Sequence, residues 1–274
     1  MKVHGVDFYY NWCKSHNYIP IACKVMGSHM FGTNTPMTRD IDLYGVHVQP
    51  PKDFMSINPV PLTHQFDIGY NGINLEYKSM DILHFARMIA KGSINEIIWL
   101  FKEPNLGLHD RIYNDTLYTW ELKLWLRHHL PQDFGKSFFG MMEGNYQKYI
   151  VKYNEKDHKL YKKFLHIFCA GWSYYRILCK LAHTKSGYYY TRDIDFKLPL
   201  LVSRTNCLLN LIDHKARDMP LDNYELGYYK LKYEDFVEWL QKHEAKYLPK
   251  ITFLDTPMSD ELLTQVRLGL FDKE

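Results

Sequence analysis

The chain has 274 residues, of which 46% are hydrophobic, and its formal net charge is +3. This composition indicates a globular protein with a substantial core and excludes an intrinsically disordered chain. The five cysteines have no CxxC or other metal-ligand spacing, which excludes a cysteine-based zinc site and indicates reduced thiols. The first residues lack the apolar segment of a signal peptide, and no stretch is long enough to span a membrane, so we expect a cytoplasmic protein.

The first predicted elements are a strand and the turn that follows it. The apolar run IPIACKVM, Ile19 to Met26, predicts a short strand, and Gly27 and Ser28 come directly after it. A glycine lets the backbone approach a phosphate closely, and a serine offers an N–H and a hydroxyl as donors. Gly27 and Ser28 are therefore candidate phosphate-binding residues on a turn that leads into a helix.

A second predicted strand contains two aspartates. In the segment Asp40–Val48, DIDLYGVHV, a side-chain period of two places Asp40 and Asp42 on one face and Ile41 and Leu43 on the other. Two hard oxygen ligands that converge in this way suit Mg²⁺ or Mn²⁺, because these ions prefer carboxylates and leave further positions to water and substrate phosphates. The sequence thus predicts a divalent-cation site at Asp40 and Asp42.

Taken together, residues 27 to 42, GSHMFGTNTPMTRDID, join a Gly-Ser pair to Asp-x-Asp through a spacer of about a dozen residues. This arrangement resembles the signature of the DNA polymerase β superfamily of nucleotidyltransferases. Within it, the chain is most similar, over about residues 19 to 103, to the predicted nucleotidyltransferases associated with RNA repair (RlaP-like or YcgL-like). The chain departs from that group's Ser-Asp-x-Asp, because Arg39 precedes Asp40 and Thr38 lies one place further back.

The resemblance implies a third carboxylate on a neighbouring strand, because two metal ions must contact both the attacking and the leaving oxygen. Glu76 lies in an alternating segment, INLEYK, and precedes a predicted helix, as the third acid does in the resembled family. Asp67, in QFDIGYNG, is the alternative. We expect Asp40, Asp42 and Glu76 to be the catalytic and metal-binding residues, with Glu76 favoured over Asp67.

Later segments have the apolar period of helices. They are residues 79–90, 94–101, 111–130, 133–153 and 157–183. Ser93 and Glu96 have the spacing of a capping box at the start of the second of these helices. We therefore predict an α+β fold in two parts: a nucleotidyltransferase module with a short mixed sheet and flanking helices in residues 1–108, and a mainly helical module in residues 109–274.

The helical part contains a basic, tyrosine-rich stretch. Residues 146–192 hold ten Lys and Arg, two acids and nine tyrosines, including Tyr188, Tyr189 and Tyr190. Basic groups attract phosphates and aromatic rings stack on bases, so this stretch is a candidate surface for an RNA acceptor. The alternative is a solvated lysine face above half-buried tyrosines. Lys163 matches a lysine of the resembled family and is a candidate nucleotide contact.

The predicted function is Mg²⁺-dependent transfer of a nucleoside monophosphate from an NTP to a hydroxyl, with an RNA end as the favoured acceptor. Asp40 and Asp42 would bind both metal ions, and Glu76 the ion on the nucleophile side. Three alternatives stay open: a non-catalytic nucleotide- or RNA-binding regulator on the same scaffold, a transferase of toxin–antitoxin type that modifies a protein, and a structural helical protein whose signature is accidental.

Overall fold

The computed structural model describes most of the chain. The described residues are 5–36, 38–53, 57–102, 111–112, 126–127, 129–152, 159–182, 196, 206–251 and 253. They form an α+β structure, which confirms the predicted fold class: a mixed sheet with flanking helices in the N-terminal half, then mostly helices.

By their contacts the described residues divide into two compact units. The first takes those up to His29, those within 39–131, and Phe253; the second takes Met30–Thr38 and those within 132–251. This division lies later in the chain than the predicted boundary at 108/109. It also assigns Met30–Thr38, here named the signature loop, to the mainly helical unit.

The first unit is built on a five-stranded sheet in the order β3-β4-β2-β1-β5. Its strands are β1 (Ile19–Val25), β2 (Asp40–Val48), β3 (Thr63–Tyr70), β4 (Ile73–Asp81) and the two-residue β5 (Arg111–Ile112). Strands β2 and β4 are parallel, whereas the other neighbouring pairs are antiparallel. The central parallel pair therefore brings together two segments that are far apart in the chain.

Helices cover both faces of this sheet. They are α1 (Gly5–Ser15), α3 (Ile82–Ala90) and α4 (Ile94–Phe101), while the short helix α2 (Gly27–Phe31) follows β1. On one face, Ile41, Leu43, Leu75 and Tyr77 form a core with Tyr9 of α1. Burial of each large apolar side chain contributes about 1.5–3 kcal/mol, so this core strongly favours the register that places these residues inside.

The other face lies against α3 and α4, where the ring of Tyr44 contacts Phe85 and Trp99. The change from β4 to α3 occurs at Asp81, whose carboxylate accepts hydrogen bonds from the backbone N–H groups of Leu83 and Gln49, both at 2.9 Å. This cap fixes the start of α3 at the end of the strand.

The predicted helix over residues 111–130 is wrong at its start. Arg111 and Ile112 form β5, which pairs with Cys23 and Ala22 of β1. An unpaired strand edge offers a row of N–H and C=O groups, and this short extended segment pairs with part of it. Leu126 and Arg127 are helical, whereas His129 lies in a turn and Leu130 has no regular structure. The rest of that prediction lies outside the described residues.

The second unit contains four α-helices among its described residues after position 131, and a short 3-10 helix (Leu248–Lys250) follows the last of them. They are α5 (Phe134–Tyr146), which continues as a π-helix (Gln147–Val151), α6 (Leu160–Ala182), α7 (Asn206–Arg217) and α8 (Asn223–Tyr247). Helix α6 packs against the other three and buries an apolar face that includes Phe164, Ile167 and Tyr174. The predicted helices over residues 133–153 and 157–183 are confirmed in their described parts. No helix in the described ranges is long and apolar enough to cross a membrane.

Candidate functional site

The Gly-Ser turn lies directly against Asp42. Gly27 follows β1 and begins α2 with a φ of +59°, in the left-handed region that favours glycine. A Cβ at this position would be 1.8 Å from Oδ2 of Asp42. The backbone N–H of Met26 also donates to the carbonyl oxygen of Asp42, at 2.8 Å. Both the backbone angle and the space thus require glycine here, and the turn is in contact with the aspartate.

Three carboxylates form one row across neighbouring strands. Asp42 of β2 is the register partner of Glu76 of β4, and Glu76 is the register partner of Asp67 of β3. Register partners point to the same face, so these three residues, here named the acid row, lie on the face opposite the apolar core. Adjacent strands are about 4.8 Å apart, which puts Asp67 one strand further from Asp42 than Glu76 is. The geometry therefore favours Glu76 over Asp67 as the partner of Asp42.

Asp40 lies at the start of β2, exposed, on the same face as Asp42. Its register partner is Asn74, whose side-chain amide donates to Oε1 of Glu76 at 3.2 Å. Asp40 is therefore beside the acid row without being part of it.

The acid row concentrates negative charge. Desolvation and the neighbouring carboxylates of Asp42, Asp40 and Asp67 raise the pKa of Glu76, while the hydrogen bond from Asn74 opposes this. Like charges held together in this way favour binding of a cation. The donors are hard carboxylate oxygens, and the lack of a side chain at Gly27 gives the Asp42 carboxylate the room that it occupies, so the residues fit Mg²⁺. Within the described part of the chain, no three such side chains already converge on one point.

One row further along the same face, the charges are compensated. Tyr44 of β2 is the register partner of Lys78 of β4. The Lys78 ammonium is 3.3 Å from Oε1 of Glu96 and 4.9 Å from the centroid of the Tyr44 ring. Glu96, whose side chain is only 1% exposed, also accepts hydrogen bonds from the hydroxyls of Tyr44, at 2.6 Å, and Ser93. We name these four residues the Glu96 network.

The predicted capping box at Ser93 and Glu96 is wrong. Ser93 is the N-cap residue of α4, but its hydroxyl donates to the Glu96 carboxylate and caps no backbone N–H. Burial would raise the pKa of Glu96, but the hydrogen bonds from Ser93 and Tyr44 and the ammonium of Lys78 outweigh it and lower this pKa. Glu96 therefore stays ionised. The apolar run IIWLF after Glu96 was the sequence feature that could have predicted this network. It indicates a helix that is buried on all sides, where a glutamate needs hydrogen-bond donors or a cation as partners.

Lys163 belongs to the second unit, whereas Gly27 and Ser28 belong to the first. Its predicted contact with a nucleotide therefore stays a prediction. It lies on α6, with its ammonium 4.1 Å from the centroid of the Tyr149 ring. In the same basic stretch, Tyr146, Tyr161 and Tyr174 are buried, which agrees with the alternative of tyrosines packed beneath a lysine face. The three consecutive tyrosines at 188–190 lie outside the described residues.

No family model and no curated protein matches the chain. Among solved structures, the chain is similar to a nucleotidyltransferase-like protein from Exiguobacterium sibiricum, with 11% identity and a TM-score of 0.31. The match covers 98% of this chain and 88% of that one. A likeness of this degree supports no conclusion about function, which is inferred below from the residues of the site.

Proposed function

We propose that the protein is a nucleotidyltransferase that moves a nucleoside monophosphate from an NTP to a hydroxyl, with an RNA end as the acceptor. The contact between the Gly27 turn and the Asp42 carboxylate supports this proposal best. It joins a backbone that can approach a phosphate to a carboxylate that can hold a cation, beside the acidic partner Glu76.

Each residue of the site has a role in this proposal. Asp40 and Asp42 would hold two Mg²⁺ ions, and Glu76 the ion on the side of the attacking hydroxyl. When bound, the ions neutralise charge on the transferred phosphoryl group and lower the pKa of the attacking hydroxyl. Gly27 and Ser28 would bind the β- and γ-phosphates through backbone N–H groups and the serine hydroxyl.

The reaction forms a bond between the acceptor oxygen and the α-phosphorus and breaks the bond to the bridging oxygen, so that pyrophosphate leaves and the hydroxyl proton passes to solvent. Little covalent chemistry is asked of the protein. The turn at Gly27 and the carboxylates of Asp42 and Glu76 would act by positioning the triphosphate and by setting the charge around it.

The test is a transfer assay with each of the four α-labelled NTPs, Mg²⁺ or Mn²⁺, and a mixed RNA pool. In Asp42→Asn, we expect transfer to fall by at least about a thousandfold, or about 4 kcal/mol of transition-state stabilisation. Asp67→Asn is the matched control, because it makes the same charge change one strand further away and should retain activity within about tenfold. Full transfer by Asp42→Asn would refute the mechanism.

Thermal unfolding gives a readout that does not need turnover. A cation that binds only the folded protein raises Tm with its concentration. Mg²⁺ should therefore raise the Tm of the wild-type protein and leave that of Asp42→Asn unchanged.

A second candidate function is a non-catalytic nucleotide-binding regulator. It is favoured by one feature, a glutamate at position 76 where the resembled family usually has an aspartate, because the longer side chain changes the spacing of the metal ligands. NTP binding without transfer would support the regulator. Label that moves onto protein instead of RNA would identify a protein-modifying transferase.

A further inference from the structure

Two ammonium groups converge on one tyrosine of the second unit. The ammonium of Lys163, on α6, is 4.1 Å from the centroid of the Tyr149 ring, and that of Lys148 is 4.8 Å from it. Lys148 and Tyr149 lie on the π-helical continuation of α5. Each cation is attracted to the ring, but the two repel one another. Tyr149 thus concentrates positive charge at one place.

Further cations extend this charge along α6 and onto α7. Burial is the largest cause that lowers the pKa of His166. The ammonium groups of Lys163, Lys215 and Lys162 lower it further. Lys162 and Lys163 lie about one helical turn before His166 on α6, and Lys215 lies on α7, which packs against α6. We name Lys148, Lys162, Lys163 and Lys215 the basic cluster.

Among the described residues, three acids on or directly after these helices have partners outside this cluster. They bind other groups: Glu143 accepts from Gln147 and Tyr233, Asp218 accepts from Tyr161, and Asp213 pairs with Arg217. Within the described ranges, Lys148, Lys162 and Lys163 have no carboxylate partner.

Three other surface lysines of the same unit are paired with carboxylates. Lys242 is 2.7 Å from Glu238, Lys232 is 3.1 Å from Asp235, and Lys136 is 3.1 Å from Asp133. Lys148 and Lys163 differ from these three lysines because their ammonium groups share the ring of Tyr149 and, among the described residues, have no carboxylate partner. A surface with such lysines attracts a polyanion.

The basic cluster also contacts the signature loop. The ammonium of Lys215 donates to the carbonyl oxygen of Thr33 at 2.8 Å, and Thr33 is 4% exposed. Both residues belong to the second unit. In the chain, the signature loop leads from Ser28 to Asp40, so the cluster lies against the segment that joins the two halves of the signature.

We propose that the basic cluster binds the phosphate backbone of the single-stranded RNA that carries the acceptor hydroxyl. Tyr149 holds the ammonium groups of Lys148 and Lys163 close enough for both to contact the same phosphate. The negative charge of that phosphate offsets the repulsion between the two ammonium groups. Cations from three helices suit successive phosphates of a strand better than one triphosphate. This proposal rests on the proposed function, from which its test is separable because it measures RNA binding without transfer.

The experiment measures the fluorescence anisotropy of a labelled single-stranded RNA over a series of salt concentrations. Each of Lys148→Gln, Lys162→Gln and Lys163→Gln should reduce the slope of log affinity against log salt by about 0.7, and the triple variant by about 2. The triple variant should also bind roughly tenfold or more weakly at low salt. Lys242→Gln, whose lysine is paired with Glu238, is the matched control and should change neither quantity.

A pair of substitutions tests the role of Tyr149. Tyr149→Phe keeps the ring and should keep the affinity, whereas Tyr149→Leu should weaken RNA binding because the two ammonium groups lose their common anchor. Circular dichroism would verify that each variant is folded.

Several results would overturn the proposal: no RNA binding by the wild-type protein, an unchanged salt slope in the triple variant, or an equal loss in Lys242→Gln. ATP titrated without RNA separates the two sources of phosphate, since the Lys148→Gln/Lys162→Gln double variant, which keeps the candidate nucleotide contact Lys163, should bind ATP normally. Loss of ATP binding would instead assign the cluster to the NTP. Asp42→Asn should bind RNA fully, so failed transfer and failed RNA binding remain distinct results.

Discussion

The acid row and the Glu96 network lie side by side on one face of one sheet, yet their charges are arranged in opposite ways. Asp42 and Glu76 place like charges next to each other, and the pKa of Glu76 is raised. Two residues further along each strand, Tyr44 and Lys78 surround a buried glutamate with donors, and the pKa of Glu96 is lowered.

This difference separates two uses of a carboxylate. A network in which every charge has a partner stabilises the fold, whereas a row of like charges destabilises it unless a ligand compensates. Proteins retain such uncompensated charge mainly where it has a function. The predictions below test whether the acid row and the Glu96 network can be altered separately.

Of the predictions that follow, the largest effect should come from placing a side chain where the Asp42 carboxylate lies. In Gly27→Ala, the new Cβ meets the Asp42 carboxylate, and the left-handed backbone adds about 1–2 kcal/mol of strain. A displacement of about 1 Å in a catalytic group lowers the rate roughly a hundredfold, so we expect at least that loss in the transfer assay.

Gly69→Ala is the matched control for this change. Gly69 lies on β3, two residues after Asp67, and a Cβ there meets nothing within 4 Å. It should transfer at the wild-type rate. Equal losses in both variants would show that the effect of Gly27→Ala is not specific to its contact with Asp42.

A smaller effect, on stability and not on transfer, should follow from Glu96→Gln. The change removes the charge that pairs with Lys78 and accepts from Tyr44 and Ser93, and hydrogen bonds to charged groups contribute about 1.5–3 kcal/mol. Because Lys78 is 36% exposed and water compensates it in part, we expect the free energy of unfolding to fall by about 2 kcal/mol. Urea unfolding measures this, and an unchanged midpoint would contradict it.

The smallest effect is a difference in pH dependence between the two glutamates, whose ordinary pKa is 4.5. Because the pKa of Glu76 is raised in the folded protein, this residue contributes stability below pH 4.5. That contribution is lost as the pH rises through the pKa of the folded state. Because the pKa of Glu96 is lowered in the folded protein, this residue contributes stability above pH 4.5. That contribution is lost as the pH falls through the pKa of the folded state.

At neutral pH, Glu76→Gln should therefore be slightly more stable than the wild-type protein, and Glu96→Gln less stable. Both differences should disappear in acid. Unfolding curves recorded over a pH series would show this, and pH profiles of the two variants that run parallel would contradict it.

The local parts of the site could be predicted from the sequence, because period-two alternation is a local signal. This alternation predicted that Asp40 and Asp42 share one face of a strand and that Glu76 lies on a strand. The pairing of Asp42 with Glu76 could not be predicted, since it depends on the register between distant strands. The Glu96 network was missed because Ser-x-x-Glu is also the spacing of a capping box. Strand β5 was missed because two residues are too few for a periodic pattern.

The register of β2 on β4 has an evolutionary consequence. The alignment that puts Asp42 beside Glu76 also puts Ile41, Leu43 and Leu75 in the core. A slip by one residue would exchange the two faces and bury carboxylates among apolar side chains. A chain with that error would fail to fold and be degraded before it could act. Selection for a folded protein thus also maintains the register that holds the two acids side by side.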